Sequence, residues 1–80
     1  MSMRNKPKWR RLRASVAACE QEVFTAEDIQ AISKIKFKRM YLNSNQIVGM
    51  LRVVGDVSPP EVTYLGKGLW QKTEDFSDGS

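Results

Sequence analysis

Apolar residues recur at helical spacing in the first quarter of the chain. Four of them lie three or four positions apart: Trp9, Leu12, Val16 and Cys19. This spacing places them on one stripe of a helix, and Arg10 and Arg11 point away from that stripe. The pattern predicts a first helix that begins at Trp9. Trp9 and Cys19 are interpreted as core residues rather than as a base-stacking or a redox group.

A capping pattern precedes the second helical repeat. The Thr25 hydroxyl can accept a backbone N–H of the first turn, and the acid Asp28 suits the positive end of a helix dipole. A second helix is therefore expected from residue 26 to about residue 34, directly after a short β-prone run at 23–25. Residues 34–42 alternate basic and apolar side chains, and both a strand and a helical tail fit them.

A third helix is predicted over residues 44–54, with Asn43 or Ser44 as its N-terminal cap and Gly55 as its C-terminal stop. Its apolar residues point to one side. The opposite side carries three residues that are polar or small: Asn45, Gly49 and Arg52. Gly49 costs a helix about 1 kcal/mol relative to alanine. It could allow another backbone to approach closely, or it could relieve crowding against the second helix.

A hairpin is predicted at the C-terminal end of the domain. Residues 62–65 and 69–72 are β-prone and surround the sequence Gly66-Lys67-Gly68. Glycine readily adopts the positive φ that a tight hairpin turn needs. This interpretation places Lys67 at the tip. The proline-containing segment 56–61 also fits a tip, with residues 62–65 as the returning strand.

Length and charge suggest one small domain with a basic end. The chain has 80 residues, 41% of them hydrophobic, and a net charge of +4. We expect a flexible arm at residues 1–8, a folded domain at 9–73 and an acidic tail at 74–80. The first thirteen residues contain no acid and six cations: Arg4, Lys6, Lys8, Arg10, Arg11 and Arg13. A basic end is typical of proteins that bind polyanions, although it can also serve only solubility.

Several classes of function are not expected. The chain has no histidine and a single cysteine, which excludes an intramolecular disulfide and the usual zinc sites. It also lacks a Ser-His-Asp or Cys-His set, and its glycine-rich turn lacks the spacing of a phosphate-binding loop. We expect no enzyme, cofactor, metal or small-molecule ligand. Without a secretory signal or an apolar span, an intracellular location away from membranes is expected: the cytoplasm, including the nucleoid, or the nucleus in a eukaryote.

The order of the predicted elements, over about residues 9–72, resembles the winged helix-turn-helix superfamily. The resemblance implies an α+β fold of three helices with a C-terminal β-hairpin. It also implies that residues 26–34 form a positioning helix, that residues 44–54 form a recognition helix, and that the turn at 66–68 is the wing. The segment between the second and third helices is longer than the usual tight turn of the superfamily.

The third helix carries side chains suited to reading DNA. Asn45 and Gln46 can each contact an adenine edge with two hydrogen bonds, and Arg52 can reach guanine or phosphate. Ser44 and the free N–H groups of the first turn suit a phosphate oxygen. The resemblance adds Lys67 of the wing as a further phosphate contact. If all six cations of the basic end neutralised phosphates, affinity would fall with salt at a log–log slope of about −5.

The leading hypothesis is a small transcriptional regulator that binds double-stranded DNA. A homodimer would multiply the contacts of one short recognition helix over two half-sites. A winged-helix adaptor that binds another protein is an alternative. It would expose an apolar patch, for which the candidates are Phe37, Met40, Tyr41 and Phe76. RNA binding within a ribonucleoprotein is a third possibility, in which the basic arm would follow the backbone.

Overall fold

The computed structural model describes residues 7–76. The elements follow in the order α1 (Pro7–Ala18), β1 (Val23–Thr25), α2 (Ala26–Phe37), a short 3-10 helix (Lys38–Met40), α3 (Ser44–Gly55), β2 (Val62–Gly66) and β3 (Leu69–Lys72). This is the predicted α+β arrangement of three helices followed by a β-hairpin. None of the described helices is long and apolar enough to cross a membrane.

Helix α1 begins two residues earlier than the sequence pattern indicated. Pro7 and Lys8, which were assigned to the flexible arm, form its first turn. Proline is well suited to this position, because its fixed φ is helical and the first N–H of a helix has no partner within the helix. The predicted apolar stripe is buried in the core, including Trp9 and Cys19, which confirms its structural role. Residues 1–6 of the predicted arm lie outside the described residues.

Helix α2 has the predicted N-terminus and a later C-terminus. The Thr25 hydroxyl accepts the Asp28 N–H at 3.2 Å, and the Asp28 carboxylate accepts the Thr25 N–H at 3.0 Å. The helix continues to Phe37 and passes into the 3-10 helix, so residues 34–40 are helical and no part of the segment 34–42 is a strand. The change of direction occurs at Lys38, which has a positive φ of 50°.

Helix α3 is capped by Asn43, one of the two expected residues, and extends to Gly55. Its apolar side meets α2 and strand β2. The buried residues of that side are Ile47, Met50, Leu51 and Val54. Because these four residues are buried on one side of α3, the polar residues on the opposite side face away from the core.

The sheet has three strands in the order β1-β3-β2, and both pairings are antiparallel. Strands β2 and β3 form the predicted hairpin around Lys67 and Gly68, which have φ values of 54° and 79°. Two successive positive φ values are the signature of the tight turn whose twist matches that of the flanking strands. The proline-containing segment 56–61 precedes β2 and is not the tip of the hairpin, so that alternative is wrong.

Candidate nucleic-acid interface

The outer face of α3 consists of Asn45, Gly49 and Arg52, and all three are exposed. They lie at positions i, i+4 and i+7 of the helix, on the side away from the buried stripe. No atom of the described neighbours lies within 4 Å of the position that a Cβ would take at Gly49. Crowding against α2 is therefore the wrong explanation for this glycine. Because Gly49 has no side chain, the helix backbone is accessible at the centre of the outer face, where another molecule could approach it.

Gln46 is exposed, but its side chain is engaged at the N-terminus of α3. Its Oε1 accepts the Asn43 N–H at 3.1 Å, while its own N–H donates to Asn43 Oδ1 at 2.9 Å. A two-bond contact with adenine needs both the oxygen and the nitrogen of the amide. Gln46 could make that contact only by opening the cap. In the structure Gln46 has a capping role that leaves its Nε2 group for an external acceptor, and its adenine contact stays a prediction.

Ser44 is half-buried at the start of α3. Its N–H donates to the Gln30 side-chain Oε1 at 2.6 Å, which ties α3 to α2. This N–H was expected to be available for a phosphate oxygen, and in the structure it already has a partner. The first turn therefore offers fewer backbone donors to a ligand than the sequence suggested.

The hairpin tip is held by its own contacts. The Tyr64 hydroxyl accepts the Gly68 N–H at 3.0 Å, and the Tyr64 ring lies 4.7 Å from the Trp70 ring, centroid to centroid. Trp70 belongs to the core, so these contacts connect the turn to the rest of the domain. Lys67 is exposed at the tip, as predicted.

An open groove of about 720 Å³ is lined by residues of α2, α3 and the hairpin. Arg52 lines its helical side, and Tyr64 lines its strand side. Two acids, Glu27 and Asp56, also line it, so the groove itself is not uniformly basic. The position of Glu27 in this groove could not be predicted, because its neighbour Asp28 accounts for the capping pattern and the groove is formed by segments that are far apart in sequence.

The cations at the N-terminal end differ in accessibility. Lys8 and Arg10 are exposed on α1, and Arg11 is half-buried. All three can present their charged groups to solvent, because long basic side chains extend beyond the apolar part of their stems. Arg4 and Lys6 lie outside the described residues.

Arg13 does not belong to this basic surface. It is buried and forms a two-bond ion pair with Glu61, in which Nη1 donates to Oε1, and Nη2 donates to Oε2 at 2.8 Å. Both side chains are only 4% exposed. The hydrogen bond to Glu61 raises the pKa of Arg13 above its ordinary value, so the buried guanidinium stays charged. The predicted contact between Arg13 and a phosphate is therefore wrong.

A sequence signal for the burial of Arg13 did exist. The residue is four positions after Trp9 and three before Val16, which places it beside the apolar stripe of α1. Its partner could not be inferred in this way, because Glu61 is 48 residues away along the chain.

Within the described part of the chain, no group of three or more His, Cys, Asp or Glu side chains could hold a metal ion. No protein-family model, curated protein or solved structure matches this sequence.

Proposed function

We propose that this protein binds double-stranded DNA and acts as a small transcriptional regulator. The observation that carries the proposal is the outer face of α3, where Asn45 and Arg52 flank an uncrowded Gly49 beside a hairpin tipped by Lys67. A DNA-binding role requires the compartment that holds DNA, which agrees with the cytoplasmic location expected from the sequence.

The outer face of α3 suits the major groove, which is wide enough to admit a helix. Asn45 can donate to N7 and accept from N6 of adenine, while Arg52 can donate to guanine or to a phosphate. Gly49 between them brings the helix backbone closer to the base edges than a larger residue would. Asn45 is therefore the principal base-reading residue of the proposal, and Gly49 sets the depth of insertion.

Phosphate contacts would come from the exposed cations. Lys67 lies on the hairpin, and Lys8, Arg10 and Arg11 lie on α1. Because Arg13 is buried, five of the six cations in the first thirteen residues remain available. If these five alone neutralised phosphates, DNA affinity would fall with salt at a log–log slope of about −4.5. A homodimer would bring two copies of the outer face to two half-sites, which compensates for the few base contacts of one short helix.

The test is selection from a random duplex DNA pool at two salt concentrations, with sequencing of the bound fraction. The expected result is an enriched sequence and affinity that falls steeply with salt. The Asn45→Ala variant should lose about 1–3 kcal/mol of binding free energy on the enriched site and little on random DNA.

A matched control is Gln21→Ala, which changes an exposed amide in the loop before β1. It should leave both affinities unchanged. Binding without enrichment, together with tighter binding to RNA, would favour the ribonucleoprotein alternative. Failure to bind any nucleic acid at low salt would reject the proposal and leave the adaptor alternative.

A further inference from the structure

Three large apolar or aromatic side chains near the end of α2 and just after it are exposed. Ile35 is 79% exposed, Met40 57% and Tyr41 39%. Ile35 is two positions from the buried Ser33, about 200° around the helix, so it points away from the core. The exposure of Ile35 therefore follows from its position on α2. Large apolar side chains that are exposed within one short segment make that segment a candidate site of interaction.

The same segment is strongly basic. Its four cations are all exposed: Lys34, Lys36, Lys38 and Arg39. Residues 34–42 contain no acid. Together these four cations and the side chains of Ile35, Met40 and Tyr41 form what we call the basic–apolar patch.

The patch is held in one shape by the backbone around it. The Lys38 N–H donates to the Lys34 carbonyl, and the Tyr41 N–H donates to the Lys38 carbonyl at 3.3 Å. The Leu42 N–H donates to the buried Ser33 Oγ at 2.9 Å, and the Leu42 side chain enters the core. These contacts anchor the chain directly after the patch. A partner would therefore bind a preformed surface, and the entropy cost of ordering that surface on binding would be small.

The Tyr41 ring also has a defined electrostatic partner. The Lys34 ammonium lies 5.1 Å from the centre of the ring, within the range of a cation–π contact. This contact joins the basic and the apolar parts of the patch. A ligand that covers Tyr41 therefore meets a cation at the same place.

We propose that the basic–apolar patch binds a protein segment in which acidic residues alternate with large apolar ones. The four cations lie in a segment that contains no acid, and they select a negatively charged partner. The exposed Ile35 and Met40 select a partner that also has apolar side chains, which a nucleic-acid backbone does not supply. The interaction goes beyond DNA binding, because it would connect a DNA-bound regulator to another protein.

The patch can be tested apart from the proposed DNA site. It lies on α2 and the following 3-10 helix, whereas the DNA-reading residues lie on α3 and the hairpin. The probe is a short fluorescent peptide in which Glu and Asp alternate with Leu and Phe, and the measurement is its fluorescence anisotropy with the full chain. The expected result is saturable binding of the peptide by the original chain. The affinity should be about tenfold weaker in both Ile35→Ser and Lys36→Glu.

The matched control is Val53→Ser, which removes an apolar side chain that is exposed on α3. It should leave peptide affinity unchanged, and circular dichroism should show that all three variants are folded. Absence of binding would overturn the proposal. Equal competition by polyglutamate, with no effect of Ile35→Ser, would also overturn it, because charge alone would then explain the binding.

Duplex DNA and vesicles of anionic phospholipid serve as competing ligands. If either binds the patch, with a loss of affinity in Lys36→Glu, while the peptide does not bind, the patch has a different partner and the proposal is wrong. If DNA fails to bind the protein at all but the peptide binds as expected, the inference holds and the proposed regulator function fails.

Discussion

Gly49 lies at the centre of the exposed side of α3, where a glycine lowers helix stability and packing offers no compensation. The space around its missing Cβ is empty among the described residues. Asn45 and Arg52, on either side of it, are exposed and polar. A ligand that approaches the helix backbone between them would explain why a small residue suits this position.

Replacing Gly49 by alanine should separate stability from binding. The free energy of unfolding should rise by up to about 1 kcal/mol, because alanine is the better helix former and its methyl group meets no neighbour. DNA affinity should fall, because the methyl group would stand between the helix and the base edges. Urea denaturation and a DNA titration measure the two effects.

The reverse change, Ala31→Gly on the exposed side of α2, is the matched control. It should destabilise the protein by about the same amount and leave DNA affinity unchanged. If Gly49→Ala stabilises the protein and binds DNA as tightly as the original chain, α3 does not approach DNA at this residue.

At the scale of single elements, the N-terminus of α3 and the hairpin turn hold their functional candidates by local hydrogen bonds. Asn43 and Gln46 satisfy each other's backbone N–H groups. Lys67 adopts a positive φ of 54° beside Gly68. Gln46 and Lys67 therefore each have a structural role and a proposed role in DNA binding. Substitutions at both residues can be chosen that retain the structural role and remove the binding role.

Gln46→Glu should preserve the fold and weaken DNA binding. A glutamate at this position can still accept the Asn43 N–H, and its charge suits the positive end of the helix. The same charge would repel phosphates near the end of α3. Thermal denaturation should show a midpoint at least as high as that of the original chain, and titration should show a lower DNA affinity.

The comparison variant is Asn43→Ala, which removes the cap itself and should cost about 1 kcal/mol of stability. An undiminished DNA affinity in Gln46→Glu would show that the N-terminus of α3 lies away from phosphates.

Lys67→Asn should maintain the hairpin and remove its charge. Asparagine adopts a positive φ more readily than lysine, and Asn-Gly is a preferred pair for this turn. The free energy of unfolding should therefore be at least as large as before. DNA affinity should decrease, and the log–log salt slope should become shallower by about 1.

The control is Lys36→Asn, which removes one cation from α2 and should leave the salt slope unchanged. Equal effects of the two substitutions would mean that DNA responds to net charge and does not contact the hairpin tip.

At the scale of the whole molecule, the buried pair of Arg13 and Glu61 connects α1 to the start of β2. Helix α1 and the hairpin are therefore joined through the core, in addition to the pairing of β1 with β3. A domain of 80 residues has only a small core, so one buried contact of this kind has a large effect on its stability.

Glu61→Ala should destabilise the protein by about 3–5 kcal/mol, because it leaves the Arg13 guanidinium buried without its carboxylate. Replacing both residues, with Arg13→Met and Glu61→Leu, should cost much less, since neither charge then remains in the core. Urea denaturation of the single and double variants measures the difference. A double variant as unstable as Glu61→Ala would show that packing around the pair, not its charge, dominates.

The short-range features of this fold could be predicted from the sequence. The capping pair of Thr25 and Asp28, the cap at Asn43 and the turn at Lys67 each depend on residues a few positions apart, and the structure confirms them. The outer face of α3 followed from helical periodicity alone. The helical state of residues 34–42 was not decided by pattern, because alternation and helical continuation both fit that segment.

Apart from residues 34–42 and the start of α1, the chain by itself determined which segments are helices and strands and which sides of them are apolar, because these properties depend on neighbouring residues. Only the tertiary structure decided that Arg13 pairs with Glu61, that β1 lies beside β3, and that Glu27 lines the groove next to Arg52. Each of these contacts joins residues that are far apart in sequence. Their geometry follows from how the elements pack, and a local pattern carries no information about that packing.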